Sequence, residues 1–353
     1  MTRIGLIGAS GTLGRVMVQQ LAAEPSHHQL RALIRRDDPE LTAAAQCTLA
    51  PNGVLDAAAL STFVADCDVV INLAARNPAG QENDLRALES FMCVNGLGAA
   101  VVAKTCAEAN TPLLHFSSVA VYETHAYTGA GSLDESSGLP SLDDESTEYF
   151  EAALAWIRSV LASNDGDLQP SFVRRMSEHT YPKHAPVYGL TKLIGERAVV
   201  ETPGRSCSIR LSDVFGPGHE SRGVVIDHLR GLDRAALTAN LDFRSTAHLI
   251  DINDVVVASN ALATRLVDGP ELPPILNLAG HCTDEPTLAS ALQALADAEG
   301  LSVRVTPASG EGVEKFDRRY DPTLLAATLP DFTLSPFAQS LQNTWAALKK
   351  TTS

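Results

Sequence analysis

Short apolar runs alternate with helical stretches through the first two thirds of the chain. The runs predicted to be strands span residues 3–8, 28–36, 67–75, 112–122 and 207–218. The stretches predicted to be helices span residues 12–24, 91–110 and 188–201. The run at 67–75 is continuously apolar, as in a strand that is covered on both faces. This alternation predicts an α/β fold with a doubly wound parallel sheet.

Two regions interrupt this alternation. Residues 123–187 form a long connection that is rich in acidic residues and serine, and such connections are usually functional or flexible. Its second half is predicted to be a helix from about Ser146 to Ala162. The apolar stripe of that helix consists of Phe150, Leu154, Ile157 and Leu161. From residue 217 onward the segments are mixed and contain proline, which indicates a smaller C-terminal lobe.

Composition limits the partners and the compartment. The 353 residues are 45% hydrophobic and carry a net charge of −15, and no Lys/Arg-rich run exists, so we expect neither nucleic acid nor a membrane as a partner. The six cysteines are scattered without C-x-x-C or zinc-ligand spacing, which is typical of free thiols in a reducing compartment. The predicted strand at 3–8 leaves no room for a signal peptide, and no 18-residue apolar run is present. We therefore expect a cytoplasmic protein.

The segment GASGTLG, residues 8–14, joins the first predicted strand to the first predicted helix. Glycines allow positive φ and close backbone approach, and the helix that follows offers free N–H groups to a phosphate. The spacing differs from the G-x-G-x-x-G fingerprint, and no Lys-Ser/Thr pair follows, as a Walker motif would require. The context predicts a nucleotide-binding turn.

The end of the second predicted strand bears on the choice of cofactor. An acidic residue at this place binds the ribose of NAD, whereas arginine suits the 2′-phosphate of NADP. The first side chains here are Arg35 and Arg36, which favours NADP(H) over NAD(H). The alternative is that both arginines pair at the surface with Asp37, Asp38 or Glu40.

Four further residues are candidates for chemistry. Tyr188 and Lys192 are four residues apart, so they share one face of the predicted helix. Ser117 and Ser118 lie in a predicted parallel strand, and ligands bind at the carboxyl ends of such strands. Asn95 is a polar residue in the middle of an otherwise apolar predicted helix.

In this order, these motifs resemble the extended short-chain dehydrogenase/reductase superfamily. The resemblance is to its NAD-dependent epimerase/dehydratase branch, which acts largely on nucleotide sugars. It rests on the segments GASGTLG, DVVINLAAR, HFSSVAVYE, PVYGLTKLIGE, SIRLSDVFGPG, AHLIDINDVVVA and ILNLAG, and on the C-terminal segment that begins YDPTLLAATLP. It implies a Rossmann-type domain of residues 1–214 plus about 249–282, with an insertion at about 123–180. A substrate lobe would comprise about 215–248 and 283–353.

The resemblance also implies the roles of the site residues. Tyr188 would be the acid/base, Lys192 would lower the tyrosine pKa and hold the cofactor ribose, and Ser118 would orient the reacting oxygen, with Asn95 in support. Hydride would move between the nicotinamide and a carbon of the substrate. The residues expected to line the cofactor are Gly8, Ser10, Gly11, Thr12, Leu13, Gly14, Arg35, Arg36, Leu73, Ala74, Ala75, Ser117, Tyr188 and Lys192.

Four features depart from the family pattern. Gly53 stands where the family often has an aspartate on the adenine, and Asn72 stands where it has histidine. Glu123 replaces the glycine that usually follows Tyr122. Tyr188 lies 66 residues after Tyr122, which implies an insertion beside the expected mouth of the active site.

Three functions remain open at this stage. The first is a nucleotide-sugar 4-epimerase or ketoreductase, with a diphosphate held by arginine side chains. The residues considered for the substrate are Arg76, Arg210, Asp213, Arg222, Arg244 and Arg319. The second is an NADPH-dependent reductase of a non-nucleotide carbonyl, of the dihydroflavonol or 3β-hydroxysteroid type. The third is a non-enzymatic NADP(H)-sensing protein. The resemblance further implies a homodimer through the helices that carry Asn95 and Tyr188.

Overall fold

A computed structural model gives the structure of the chain in two compact units. It describes residues 1–23, 28–77, 87–124, 132–136, 143–163, 168–182, 186–220, 223–241, 244–308 and 317–352. The first unit comprises Met1–Tyr127, Ser136–Arg210 and Ser259–Leu276. The second unit comprises Thr128–Glu135, Leu211–Ala258 and Asn277–Ser353.

Within the described residues, the strands of the main sheet are β1 (Thr2–Ile7), β2 (His28–Ile34), β3 (Gln46–Leu49), β4 (Val69–Asn72), β5 (Leu113–Ser118), β7 (Ser206–Leu211) and β11 (Ile275–Leu278). They lie in the order β11-β7-β5-β4-β1-β2-β3. Strands β1 to β5 pair in parallel. The strand order reverses between β1 and β4, and ligands of doubly wound sheets bind at the carboxyl ends of the strands at such a reversal. The predicted Rossmann-type sheet is confirmed.

Helices flank this sheet. Those that precede β5 are α1 (Thr12–Ala22), α2 (Pro39–Ala44), α3 (Ala57–Ala65), α4 (Leu88–Phe91) and α5 (Ala99–Glu108). A π-helical segment, Met92–Gly98, joins α4 to α5, so the helix predicted at 91–110 contains a widened turn. By length and composition alone, the helical run Leu88–Glu108 could cross a membrane, but 72% of that window is buried inside the protein. It is a core helix of the first unit.

The described part of the long connection contains the helices α6 (Asp144–Ala162) and α7 (Leu168–Met176). The buried face of α6 is wider than predicted, because Tyr149 and Trp156 are buried beside the predicted stripe at Phe150, Leu154 and Ile157. Trp156 contacts the rings of Tyr149, Phe172 and His179 at centroid distances of 5.7, 6.4 and 4.9 Å. An aromatic cluster thus joins α6 to α7. Residues 125–131, 137–142, 164–167 and 183–185 of the connection lie outside the described residues.

Helix α8 (Val187–Glu201) follows, and it packs against the π-helical segment, α5 and α6. On its α6 side, Arg158 pairs with Glu201 at 2.5 Å, and the Lys104 amine of α5 donates to the Leu161 carbonyl at 2.8 Å. The predicted bounds of this helix, 188–201, agree with the structure to one residue.

The second unit has three small sheets. Its strands are β6 (Ser132–Leu133), β8 (Asp213–Phe215), β9 (Ala236–Ala239), β10 (Thr246–Asp251), β12 (His281–Asp284), β13 (Arg304–Pro307) and β14 (Arg319–Tyr320). Its helices are α9 (Val224–Arg230), α11 (Glu285–Ala298), α12 (Thr323–Thr328) and α13 (Phe337–Thr352), and α10 (Ile252–Asp268) begins in this unit. The core includes Leu229, Leu241, Leu249, Leu288 and Leu292.

The observed division differs from the expected domains at four places. Residues 132–135, 211–214, 249–258 and 277–282 were expected in the nucleotide domain but cluster with the second unit. For the last three, the reason is that β10 pairs with β8 and β12 in a separate three-stranded sheet rather than joining the main sheet.

Candidate active site in the first unit

The glycine turn lies at the carboxyl end of β1. Gly8 has φ +88°, and a Cβ atom there would come within 2.8 Å of the Ala74 backbone nitrogen. A Cβ atom at Gly14 would overlap the Gly8 carbonyl oxygen, so only glycine lets α1 approach the turn this closely. Gly11 is the N-cap of α1, with no side-chain cap and no acidic residue in the first turn. The free N–H groups and the helix dipole therefore favour an anion such as a phosphate.

Arg35 and Arg36, which were predicted to favour NADP(H) over NAD(H), directly follow β2. Arg35 and Arg36 are exposed, and the Arg35 stem lies over Gly53, where a Cβ atom would be 3.2 Å from the arginine Cδ. Two of the three acidic groups considered as their surface partners are bound elsewhere, because Arg15 pairs with Asp38 at 2.5 Å and with Glu40 at 3.1 Å. The Arg15 guanidinium holds the pKa of Asp38 below its ordinary value.

Asp56, near Gly53, has a structural role. Its side chain accepts a hydrogen bond from the Ala59 backbone nitrogen at 3.3 Å and caps α3.

A buried pair of polar side chains joins β4 to β5. Asn72 and His115 are register partners, and the Asn72 amide donates to His115 Nδ1 at 3.2 Å. The Asn72 oxygen accepts from the Ala74 nitrogen at 3.1 Å, which fixes the loop that faces Gly8. Burial, and then the charge of Lys192, lowers the pKa of His115 well below its ordinary value. The imidazole is therefore neutral, with the proton on Nε2.

Asn95 sits in the π-helical segment and clamps two elements. Its oxygen accepts from the Arg76 nitrogen at 2.8 Å, and its amide donates to the Arg76 carbonyl at 3.1 Å and to the Thr191 hydroxyl at 3.3 Å. Asn95 therefore ties the loop after β4 to α8. The predicted supporting role has a physical basis: Asn95 holds a backbone segment in place.

Tyr188 and Lys192 lie on one face of α8, as the spacing predicted. Lys192 is buried, and its ammonium donates to the Phe116 carbonyl at 2.5 Å, one strand residue from Ser117 and two from Ser118. Burial lowers the pKa of Lys192 to about 8, and Glu196 opposes the shift. The partly exposed Tyr188 ring packs edge-on against Phe91 at a centroid distance of 6.4 Å.

The two serines differ in accessibility, because alternate strand residues face opposite sides of a sheet. The Ser118 hydroxyl is partly exposed and accepts from the Ala120 nitrogen at 3.1 Å, at the start of the 3-10 turn Val119–Thr124. Ser117 is 4% exposed, and its hydroxyl has no partner among the described residues. Of the two, Ser118 is the one that the structure offers to a ligand.

The residues considered for the substrate are divided between the two units. Arg76 is exposed in the first unit, and its backbone nitrogen donates to Asn95. In the second unit, Asp213 and Arg244 pair with each other at 2.6 Å, and Arg319 pairs with Asp317 at 3.2 Å. Arg222 lies outside the described residues.

Arg210 belongs to a buried group that sequence reasoning missed. Its guanidinium binds Glu196 of α8 at 2.6, 3.0 and 3.2 Å and lies 4.6 Å above the Tyr122 ring. In the sequence, Glu196 follows Lys192 by four residues, just as Lys192 follows Tyr188. This repeated spacing is the feature from which Glu196 could have been predicted to lie on the same helix face.

The main sheet and the glycine turn place the first unit in the doubly wound α/β class. Residues 4–174 match the sequence model of the NAD dependent epimerase/dehydratase family. The resemblance to this family that the motifs predicted is confirmed over that segment.

One curated relative and two solved structures illustrate what the chain is similar to. A dTDP-4-dehydrorhamnose reductase of Mycolicibacterium smegmatis is 32% identical over 164 residues, which is 46% of this chain and 42% of the reductase. The chain thus matches less than half the length of that relative. The structure of MoeE5 in complex with UDP-glucose and NAD has a TM-score of 0.67 and 18% identity, and covers 100% of both chains. The Bacillus cereus UDP-glucuronic acid 4-epimerase in complex with NAD has a TM-score of 0.67 and 16% identity, and covers 99% of each chain. At these identities the likeness to the two structures shows the fold.

Proposed function

We propose that this protein is an NAD(P)-dependent oxidoreductase or epimerase that transfers hydride at a hydroxyl or carbonyl carbon of a nucleotide sugar. One observation carries the proposal: Lys192 is fixed on the Phe116 carbonyl beside Ser118, on the α8 face that it shares with Tyr188. This arrangement brings the serine, tyrosine and lysine expected for proton transfer onto two adjacent elements of the first unit.

The residues present fit a nicotinamide dinucleotide. The uncapped N-terminus of α1 and the glycine cradle at Gly8 and Gly14 suit a pyrophosphate, and the loop at Leu73–Ala75 lies against Gly8. When bound, the nicotinamide supplies the carbon that accepts or donates hydride.

Three side chains would perform the proton transfer. Tyr188 would exchange the proton of the substrate oxygen, and Ser118 would orient that oxygen. An unperturbed tyrosine has a pKa near 10, too high for an acid/base at neutral pH. The Lys192 ammonium would favour the phenolate form of Tyr188 and so lower the tyrosine pKa toward neutral pH.

The cofactor is proposed to be NADP(H) in preference to NAD(H). Arg35 and Arg36 have no ion pair among the residues that the structure describes, while Arg15 engages Asp38 and Glu40. Gly53 leaves the space beside Arg35 without a competing carboxylate. Two guanidinium groups are therefore available to a 2′-phosphate.

Replacing Arg35 and Arg36 with alanine is expected to weaken NADPH binding by about 10- to 100-fold, and NADH binding much less, because charge-assisted hydrogen bonds contribute about 1.5–3 kcal/mol. Titration calorimetry with each cofactor measures the difference. Arg31→Ala is the matched control, since Arg31 lies on β2, the strand that Arg35 follows, and pairs with Asp66 at the end of α3. Equal weakening of both cofactors would remove the argument for a 2′-phosphate.

A nucleotide sugar is the proposed substrate class. The relative is a dTDP-4-dehydrorhamnose reductase, and the similar structures are a UDP-glucose complex and a UDP-glucuronic acid 4-epimerase; these support the substrate class proposed for this chain. The test incubates the protein with UDP-glucose, UDP-glucuronic acid and a dTDP-4-keto-6-deoxy sugar, each with NAD or NADPH. Chromatography would detect a C4 epimer, and absorbance at the reduced-nicotinamide band would detect reduction. Absence of both products with all three substrates contradicts the nucleotide-sugar assignment.

A second candidate is an NADPH-dependent reductase of a non-nucleotide carbonyl. The available Arg35 and Arg36 favour it, because net reduction usually draws on NADPH. Oxidation of NADPH by a ketone that lacks a nucleotide, with none by the keto sugar nucleotide, would favour this candidate over the first.

A homodimer through the helices that carry Asn95 and Tyr188 would need a part of their surface that α6 does not cover. Ile157 of α6 approaches Gly96, and Arg158 pairs with Glu201 of α8, so α6 already covers part of that face. We expect light scattering to give the same mass for the native chain and for Arg197→Glu, a charge reversal on the exposed side of α8. A mass that halves in the variant would place α8 at a dimer interface after all.

No disulfide joins the six cysteines, all of which lie in the described part of the chain, and this supports the proposal of a reducing, cytoplasmic compartment.

A further inference from the structure

Helix α8 carries a third ionisable residue on the face that bears Tyr188 and Lys192. Glu196 follows Lys192 by four residues, and positions four apart on a helix are neighbours. Glu196 is 2% exposed and Lys192 is 2% exposed, so both charges interact through protein rather than water. We propose that Glu196 is a positioning residue that keeps Lys192 protonated, and that Arg210 and Tyr122 hold Glu196 in place for this task.

The geometry fixes the Glu196 carboxylate firmly. Arg210 of β7 forms hydrogen bonds to both carboxylate oxygens, the shortest at 2.6 Å, and both side chains are 3% exposed. The Tyr122 ring lies 4.6 Å below the guanidinium carbon and closes the arrangement from the 3-10 turn. A bidentate arginine leaves the carboxylate little freedom to rotate away from Lys192.

Stability alone does not explain this ion pair. Removing two charges from water costs about as much as their attraction returns, and apolar side chains of similar volume often serve equally well. A buried carboxylate next to a buried lysine does have an electrostatic consequence, because an opposite charge favours the ammonium form. Burial lowers the pKa of Lys192 to about 8, and Glu196 is the group that opposes this loss.

The other groups around Lys192 do not replace Glu196. His115 of β5 is the ionisable group that faces Lys192 from the sheet, and burial together with the lysine charge lowers its pKa, so it is neutral in the alkaline range. Tyr188 is on the same helix face, and Asn95 of the π-helical segment carries no charge. Arg210 binds Glu196 directly, and it acts on Lys192 only by holding that carboxylate in place.

The ammonium of Lys192 can be observed without any substrate. The chain has only six lysines, so the ¹³Cε spectrum of lysine-labelled full-length protein has few resonances, and Lys192→Met identifies the one of interest. We expect this resonance to titrate with a midpoint near pH 8, apart from the ordinary lysines near pH 10.4. Glu196→Gln should lower the midpoint by about 1 pH unit, because a nearby opposite charge favours the ammonium form of a lysine.

Glu201→Gln is the matched control. It removes a carboxylate from the same helix, but Glu201 pairs with Arg158 and Arg197 at the surface, so the Lys192 midpoint should stay in place. Because Glu196→Gln leaves Arg210 buried without its partner, circular dichroism checks the fold, and Glu196→Gln with Arg210→Gln gives a neutral pair. The midpoint should fall in this double variant as well. An unchanged midpoint in the folded variants, or an equal shift in Glu201→Gln, overturns the proposal.

The inference deepens the proposed function and rests on it only where Lys192 serves proton transfer. If Lys192 acts as proposed, the alkaline limb of turnover moves to lower pH together with the resonance. If the resonance moves but the turnover limb does not, the control of Lys192 by Glu196 stands and its assigned part in catalysis fails.

Discussion

Replacing Tyr188 with phenylalanine is expected to lower turnover by about 10²- to 10⁴-fold, the usual contribution of a positioned acid or base. The change removes one hydroxyl group and keeps the ring that packs against Phe91. Cofactor affinity should therefore be retained, because the glycine turn and Lys192 are untouched. Steady-state turnover and cofactor titration together separate loss of chemistry from loss of binding.

Tyr149→Phe is the matched control for this experiment. Tyr149 is 3% exposed in α6, and its hydroxyl has no hydrogen-bond partner among the described residues. Removing a buried, unpaired hydroxyl should leave turnover unchanged and should not lower stability. Full activity in Tyr188→Phe would contradict the assignment of the acid/base, and so would an equal loss in both variants.

The second large effect is expected at Gly195, where α8 crosses the π-helical segment. A Cβ atom at Gly195 would overlap the Asn95 carbonyl oxygen and lie 3.0 Å from the Asn95 carbonyl carbon. Alanine normally stabilises an exposed helix position by about 0.5–1 kcal/mol relative to glycine. Here the overlap dominates, and we expect Gly195→Ala to lower the free energy of unfolding by about 1–3 kcal/mol.

Gly96→Ala tests whether the effect is specific to this crossing. Gly96 lies in the π-helical segment, and a Cβ atom there would meet Ile194 Cγ2 at 3.5 Å, an ordinary contact. The free energy of unfolding of Gly96→Ala should therefore change little. Gly195→Ala should also lower turnover, because moving α8 breaks the hydrogen bond from Asn95 to Thr191. Denaturant midpoints that are equal in the two variants would show that the close crossing is not obligatory.

Local patterns in the sequence were enough to predict the elements of the first unit. The glycine turn, the Tyr188–Lys192 spacing and the apolar run at Val69–Asn72 each depend on residues close together in the chain. The strand bounds were less accurate: β5 ends at Ser118 rather than Tyr122, because the chain turns into a 3-10 helix there. Period and spacing report local conformation, and they do so least well where an element ends.

Contacts between distant residues could not be predicted in this way. Arg15 pairs with Asp38, 23 residues away, and so removes an acidic partner that the local sequence offered to Arg35 and Arg36. Asn72 and His115 meet across two strands, although Asn72 viewed alone was only a departure from the family pattern. The aromatic cluster that joins α6 to α7 needs both helices in place before its members are recognisable.

The most direct test of the account is the identity of the cofactor that the first unit binds. The purified protein would be denatured, and the released small molecules identified by absorbance and mass; the native protein would be titrated with NAD, NADH, NADP and NADPH. We predict one nicotinamide dinucleotide per chain, either retained on purification or bound on titration with NADPH ahead of NADH. Retained NAD would favour a 4-epimerase, and an empty site that binds NADPH would favour a reductase. Absence of any released dinucleotide, together with no binding of all four, would contradict the account.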